Sequence, residues 1–460
     1  KMFGFAARVS KSSCFYCLSQ DTICNKEHGL SRSLIRAGDL TLIDSALKSN
    51  GFVRNSVLGV LLPIYACSAD WLHLAGEGIN KTWLNNSLPL FMSSNGKGKK
   101  SWKISTASSS SLIALNDLVR TPSFLPLPPA RLQKTFSNAR DVFFTSTVTV
   151  GILLGRTDEL EVGVIGLAFS FLNLCMSSRR FIELKSSMVR VCAFLAPVMS
   201  NFDLKAFSSI KLHTVIYHMD ELLTNFGCLA DIDCRLYESL FSFMKGLLPD
   251  KITKGAAKAV LWRLNTWRDV SNELKRRVRS GENLDDFLNF LQLGNFHYRQ
   301  EYPTKKTHDA SNRDMGIVNG DQEFDRVAFH GSFLSTVETE PGRHLNSIVS
   351  FVSHNGNVEF GRIKKIIKSS DGKNCLVVNL FQITDEPFND MLYKLDALRV
   401  PHGNDMLEII RIICKSRVIV AGYFIDNIRR ISLSNVVGHC SVVFSNPTFI
   451  IDSSRRPSHC

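Results

Sequence analysis

The hydrophobic period changes along this chain, and that change limits the folds open to it. From about residue 132 to Phe207, apolar residues recur at helical spacing. From Leu345 to Ser441 they come instead in short β-rich runs: SIVSFV, EFGRIKKII, NCLVVNLFQI and IIRIICKSRVIVAGYFI. Turn signals at His354-Asn355-Gly356-Asn357 and Ser370-Asp371-Gly372-Lys373 separate these runs. A chain of 460 residues, 44% of them hydrophobic, can bury a sizeable core spread over two or three domains. The expected class is mixed, mainly α with β.

Charge and cysteine usage narrow the function classes. A net charge of +13 favours a polyanionic partner such as nucleic acid, and an anionic membrane surface fits almost as well. Twelve cysteines in this length are too sparse for a disulfide scaffold, so a reducing compartment, nuclear or cytoplasmic, is expected. Residues 1–51 carry no signal-peptide pattern, and a start at Lys1 reads as part of a longer product. The most apolar runs, Val142–Gly155 and Val162–Met176, fall short of the ~20 residues of a membrane span and read as buried helices.

Chemistry-bearing residues concentrate in a few places. His213 and His218 have a spacing that zinc sites use for a histidine pair, and Glu238 follows on a segment whose Leu236, Leu240, Phe243 and Leu247 would form a separate apolar stripe. Near the start, Cys14-Phe15-Tyr16-Cys17 offers two thiols from one tight turn, which suits half a zinc site, a redox motif or two buried thiols. Its remaining ligands could be local, Cys24 and His28, or distant, His213 and His218. Asp70, His73 and Glu77 would share one face of a helix capped at Ser68 or Asp70 and running through Trp83. They read as a metal site or as a capped polar face.

Basic and flexible segments complete the pattern. Residues 93–111, rich in Ser, Lys and Gly, read as a mobile basic loop, and four prolines hold Thr121–Arg131 extended. Lys254, Lys258, Arg263, Arg268, Lys275, Arg276 and Arg277, interleaved with Trp262 and Trp267, form a basic helical region suited to DNA phosphates or to solvent. Pro197 should end or kink its helix. The alternation in Phe360-Gly361-Arg362-Ile363 and Leu376-Val377-Val378 fits a small antiparallel barrel of SH3-like type, read as an interaction module.

Four blocks in order carry a resemblance: CFYC at Cys14–Cys17, LLPIY…DWLHLAGEGINKTWL from Leu61 to Leu84, RTPSFLPLPPARL from Arg120 to Leu132, and KLHTVIYHMDELLTNFGCL…YESLFSFMKG from Lys211 to Gly246. Over roughly residues 10–270 the chain resembles the transposases of CACTA-type DNA transposons, part of the wider group that includes the V(D)J recombinase catalytic subunit. The resemblance implies a partial RNase H-like core with a large helical insertion. It also implies two-metal phosphodiester chemistry using Mg²⁺ or Mn²⁺ on three carboxylates. By the same resemblance, Cys14, Cys17, His213 and His218 would share a structural zinc, and Glu238 would be the third catalytic carboxylate. Asp70, His73 and Glu77 form a hallmark block without an assigned role.

One departure stands out. The pattern puts both catalytic aspartates before Cys14, and residues 1–13 contain neither Asp nor Glu. A single glutamate does not hold two Mg²⁺ ions, so this chain is expected to bind DNA without cleaving it. The alternative is a non-catalytic nucleic-acid- or protein-binding scaffold derived from a transposon. The expected domains are the end of the RNase H-like core (1–54), a helical insertion (55–207), the histidine pair, glutamate helix and basic region (208–280), a linker (281–345) and the barrel (346–460). DNA is the expected partner, self-association is open, and no membrane or small-molecule substrate is expected.

Overall fold

The computed structural model describes residues 69–83, 118–123, 160–201, 210–232, 321–330, 332–340 and 344–453, with Ala114, Leu125 and scattered positions between 262 and 280; within these spans the side chains of Glu77, Ser200, Asn201 and Ile210 are not described. They belong to two units, one of residues 1–232 with 302–460 and the other of residues 233–301.

Among the described residues, the first elements of the first unit are a π-helix, Leu72–Asn80, and a two-residue strand, β1 (Val119–Arg120). Three long helices follow: α1 (Leu160–Ser177), α2 (Phe181–Asn201) and α3 (Ile210–Phe226). Helix α1 is buried at every position except Glu161. At 18 residues it is long and apolar enough to cross a membrane, longer than the run in the sequence suggested, and 94% of it is buried inside the protein. That burial is how a core helix is made apolar all round. Trp83 lies across it at Gly166, where an added Cβ would stand 2.1 Å from the indole. Helix α2 does not end at Pro197 but runs on to Asn201.

The remaining elements build a closed barrel. Strands β2 (Gln322–Phe324), β3 (Arg326–Phe329) and β4 (Ser332–Ser335) precede β5 (Ile348–Val352), β6 (Val358–Lys368) and β7 (Asn374–Thr384). Two helices, α4 (Glu386–Leu398) and α5 (Gly403–Ser416), then lead into β8 (Ile419–Ser432), β9 (Val436–Val443) and β10 (Thr448–Asp452). Around the wall the order is β5-β6-β7-β8-β10-β9, all antiparallel, and β9 returns to β5 through Val349 opposite His439. The hairpin turns fall where the sequence marks them, with Gly356 N–H donating to Ser353 and Gly372 N–H to Ser369. Ile348, Phe360, Val420, Val442 and Ile450 cluster on one face of the wall, and Val349, Phe351, Ile363, Leu376, Val378 and Ile431 form a second cluster on the opposite face.

Two expectations are corrected here. Residues 322–335, expected within a linker, form β2, β3 and β4, and the β3–β4 hairpin adds Val327, Phe329 and Leu334 to this second cluster. The apolar run at Ile409–Cys414, expected as strand, is the end of α5. Met406, Ile409, Ile410 and Ile413 are buried at helical spacing, so packing overrides the β preference of isoleucine. The strand begins only at Ile419.

The barrel and the helices share a core. On β10, Ile450 points into the barrel, while Phe449 and Ile451 join the cluster formed by α1, α2, α4 and α5. At the seam sits Arg180, its side chain 8% exposed. It donates to the carbonyls of Ser416 (2.9 Å) and Arg417 (3.4 Å) at the end of α5 and lies 3.7 Å from the buried carboxylate of Asp452. A cation on terminal helix carbonyls satisfies acceptors that the helix itself cannot.

Candidate metal centre

Helix α3 carries both histidines into the interior, where His213 is 3% and His218 0% exposed. Five positions turn an α-helix through about 500°, so the side chains leave the axis about 140° apart and meet only by leaning together. They do meet, with the two Nε2 atoms 3.2 Å apart and the ring centroids 5.1 Å apart. Tetrahedral zinc with bonds of about 2.0–2.1 Å would hold two such nitrogens about 3.4 Å apart. The separation also suits one imidazole N–H donating to the other ring's lone pair.

A further side chain, absent from the sequence-based expectations, bears on this choice. Glu221 Oε2 lies 3.4 Å from Nδ1 of His218. A carboxylate accepting that N–H leaves the lone pair of His218 on Nε2, facing His213. Metal-binding histidines are oriented by outer carboxylates in this way. The signal was available, since Glu221 follows His218 by three positions on one helix. Among the described residues no group of three or more His, Cys, Asp or Glu side chains gathers around one point. Cys14, Cys17, Cys24, His28 and Glu238 lie outside the described residues.

The Asp70 block is organised differently from the expected α-helix. Asp70 Oδ1 accepts from the Leu72 N–H at 3.2 Å, and its other oxygen pairs with Nδ1 of His73. The residues then wind as a π-helix, whose i→i+5 bonds change the register, so positions three and seven apart no longer align as they would on an α-helix. The side chain of Glu77 lies outside the described part. This π-helix packs on α3: a Cβ at Gly78 would stand 2.7 Å from Cδ of Lys211, two residues before His213.

In the second unit, Arg276 and Arg277 both donate to Glu273, at 2.7–3.0 Å. Their hydrogen bonds pull the Glu273 carboxyl down to about 2. The fork is intact above the ordinary carboxylate range and is lost as pH falls through about 2. Arg268 is exposed beside Asp269, and Trp262 is exposed too. Lys254, Lys258, Arg263 and Lys275 lie outside the described residues.

One family model, described as a protein of unknown function (DUF1258), matches residues 1–60, a span that contains Cys14 and Cys17. No curated protein and no solved structure matches the chain.

Proposed function

We propose that this chain is a transposase-derived DNA-binding protein whose buried histidine pair is one half of a structural zinc clamp. The observation that carries this reading is the 3.2 Å approach of His213 Nε2 to His218 Nε2, with Glu221 behind His218. Cys14 and Cys17 would supply the other two ligands and tie the start of the chain to α3. Zinc there would supply a fixed tetrahedral cross-link, a folding role. The chain's beginning would then be the end of a partial RNase H-like core, with the long helices as its insertion. Glu238 would be the one catalytic-type carboxylate, which is too few to hold a pair of Mg²⁺ or Mn²⁺ ions.

DNA would be held chiefly through its phosphates, by Lys254, Lys258, Arg263, Arg268, Lys275, Arg276 and Arg277. Binding of the whole chain to a duplex, titrated across salt, tests this. Affinity should fall steeply as salt rises, and replacing Arg268, Arg276 and Arg277 with Ala should flatten the slope by about 0.9 for each phosphate no longer neutralised. Affinity indifferent to both would contradict it. The purified chain should not nick the duplex in Mg²⁺ or Mn²⁺.

The second reading, a protein-binding scaffold, draws on the exposed Tyr393 and Leu398 of α4. It predicts that the triple variant leaves partner binding unchanged.

A further inference from the structure

Strand β2 is a short acidic segment laid on a basic part of the barrel wall. Lys365, Val377 and Arg430 are in register across β6, β7 and β8, so their side chains share one face of the sheet. Two carboxylates from one side of the β2 segment reach this row. Glu323 Oε2 lies 3.5 Å from Lys365 Nζ, and Asp321 Oδ2 lies 3.3 Å from Arg430 Nη1, with the Asp321 side chain 3% exposed. Beyond them the chain alternates: Phe324 turns the other way and packs against the cluster that includes Ile363, Ile366 and Leu376. Lys364 and Lys368, both exposed, lie on the same strand as Lys365.

The backbone contributes as well. Gln322, Glu323 and Phe324 pair antiparallel with Lys368, Ile367 and Ile366. β2 is the terminal strand on this side, and its outer edge carries no further strand among the described residues. A strand of three residues, partly exposed along its length, is among the cheaper pieces of a sheet to open, whereas the β3–β4 hairpin after it is fixed by Val327, Phe329 and Leu334 in the core.

We infer that β6 with Lys365 and Arg430 is a peptide-docking groove, occupied in cis by Asp321–Phe324 and open in trans to a partner strand with carboxylates at alternating positions followed by an aromatic residue. The recognition is β-augmentation: main-chain pairing supplies affinity, and the charged row with the Phe324 seat supplies selectivity. The tethered strand competes at an effective concentration in the millimolar range, so a partner gains the groove only when the cis strand is weakened or held away. This inference does not depend on the DNA-binding reading or on zinc.

The test is binding of a fluorescent peptide of residues 319–326 to the full chain by anisotropy. The arms are wild type, Asp321→Asn with Glu323→Gln, and that variant with Lys365→Ala and Arg430→Ala added. Neutralising the cis carboxylates should raise affinity for the peptide about tenfold or more by emptying the groove, and the added alanines should abolish the gain. A peptide with its own Asp and Glu neutralised should not bind. Unfolding curves of all three proteins establish that each is folded, and peptide protection of the β6 amides from hydrogen exchange gives a second readout in any arm that binds. Equal affinity of the first two proteins for the peptide would overturn the inference. So would a gain in affinity for duplex DNA without a gain for peptide, which would make the row a phosphate site.

Discussion

At the scale of single residues, Glu221 bears most on the metal reading. A hydrogen-bonded histidine pair needs no outer carboxylate, whereas a metal-binding pair is oriented by one. Glu221→Gln should leave the fold intact and weaken zinc binding by about 10–100-fold, measured by competition with a chromogenic chelator. Gly166 makes a claim of a different kind. With Trp83 packed where its Cβ would be, Gly166→Ala should destabilise the chain by about 1–3 kcal/mol, read from urea unfolding. The histidines and their spacing were legible in the sequence, and so was the acid three positions on. Their burial was not, because spacing along a helix does not say which flank faces the core. The π winding at Leu72–Asn80 was hidden for a related reason: its residues have the composition of an ordinary helix, and only packing against Lys211 and α3 shows the changed register.

At the scale of elements, the barrel strands were legible and the helices between them were not. The turn signals at residues 354–357 and 370–373 mark real hairpins because glycine and asparagine there meet a local backbone requirement. The isoleucines of α5 have no such local cue. They are β-branched and follow one another closely, and what makes them helical is the shared core with α2 and α1. Ile410, fully buried in that core, should cost about 2–5 kcal/mol when truncated to alanine, as judged by thermal or chemical unfolding. The strands β2 to β4 were missed because they are short and polar on one side, with only Val327, Phe329 and Leu334 to announce a buried face.

At the scale of the whole molecule, the first unit behaves as one packed body rather than as a helical domain with a detachable barrel. β10 is buried on both sides, and Arg180 ties the turn before α2 to the end of α5 and to Asp452. Removing that guanidinium leaves a buried carboxylate without its cation, so Arg180→Ala should lower stability by about 3–5 kcal/mol and lower it for barrel and helices together, as followed by hydrogen exchange. Zinc shared by Cys14, Cys17, His213 and His218, as proposed, would clamp this body to the start of the chain. Metal content of the purified chain and of the Cys14→Ser, His218→Ala double variant measures it directly. One zinc per wild-type chain and none in the variant is the expected result. A wild type without zinc, or a variant that keeps it, would rule the clamp out.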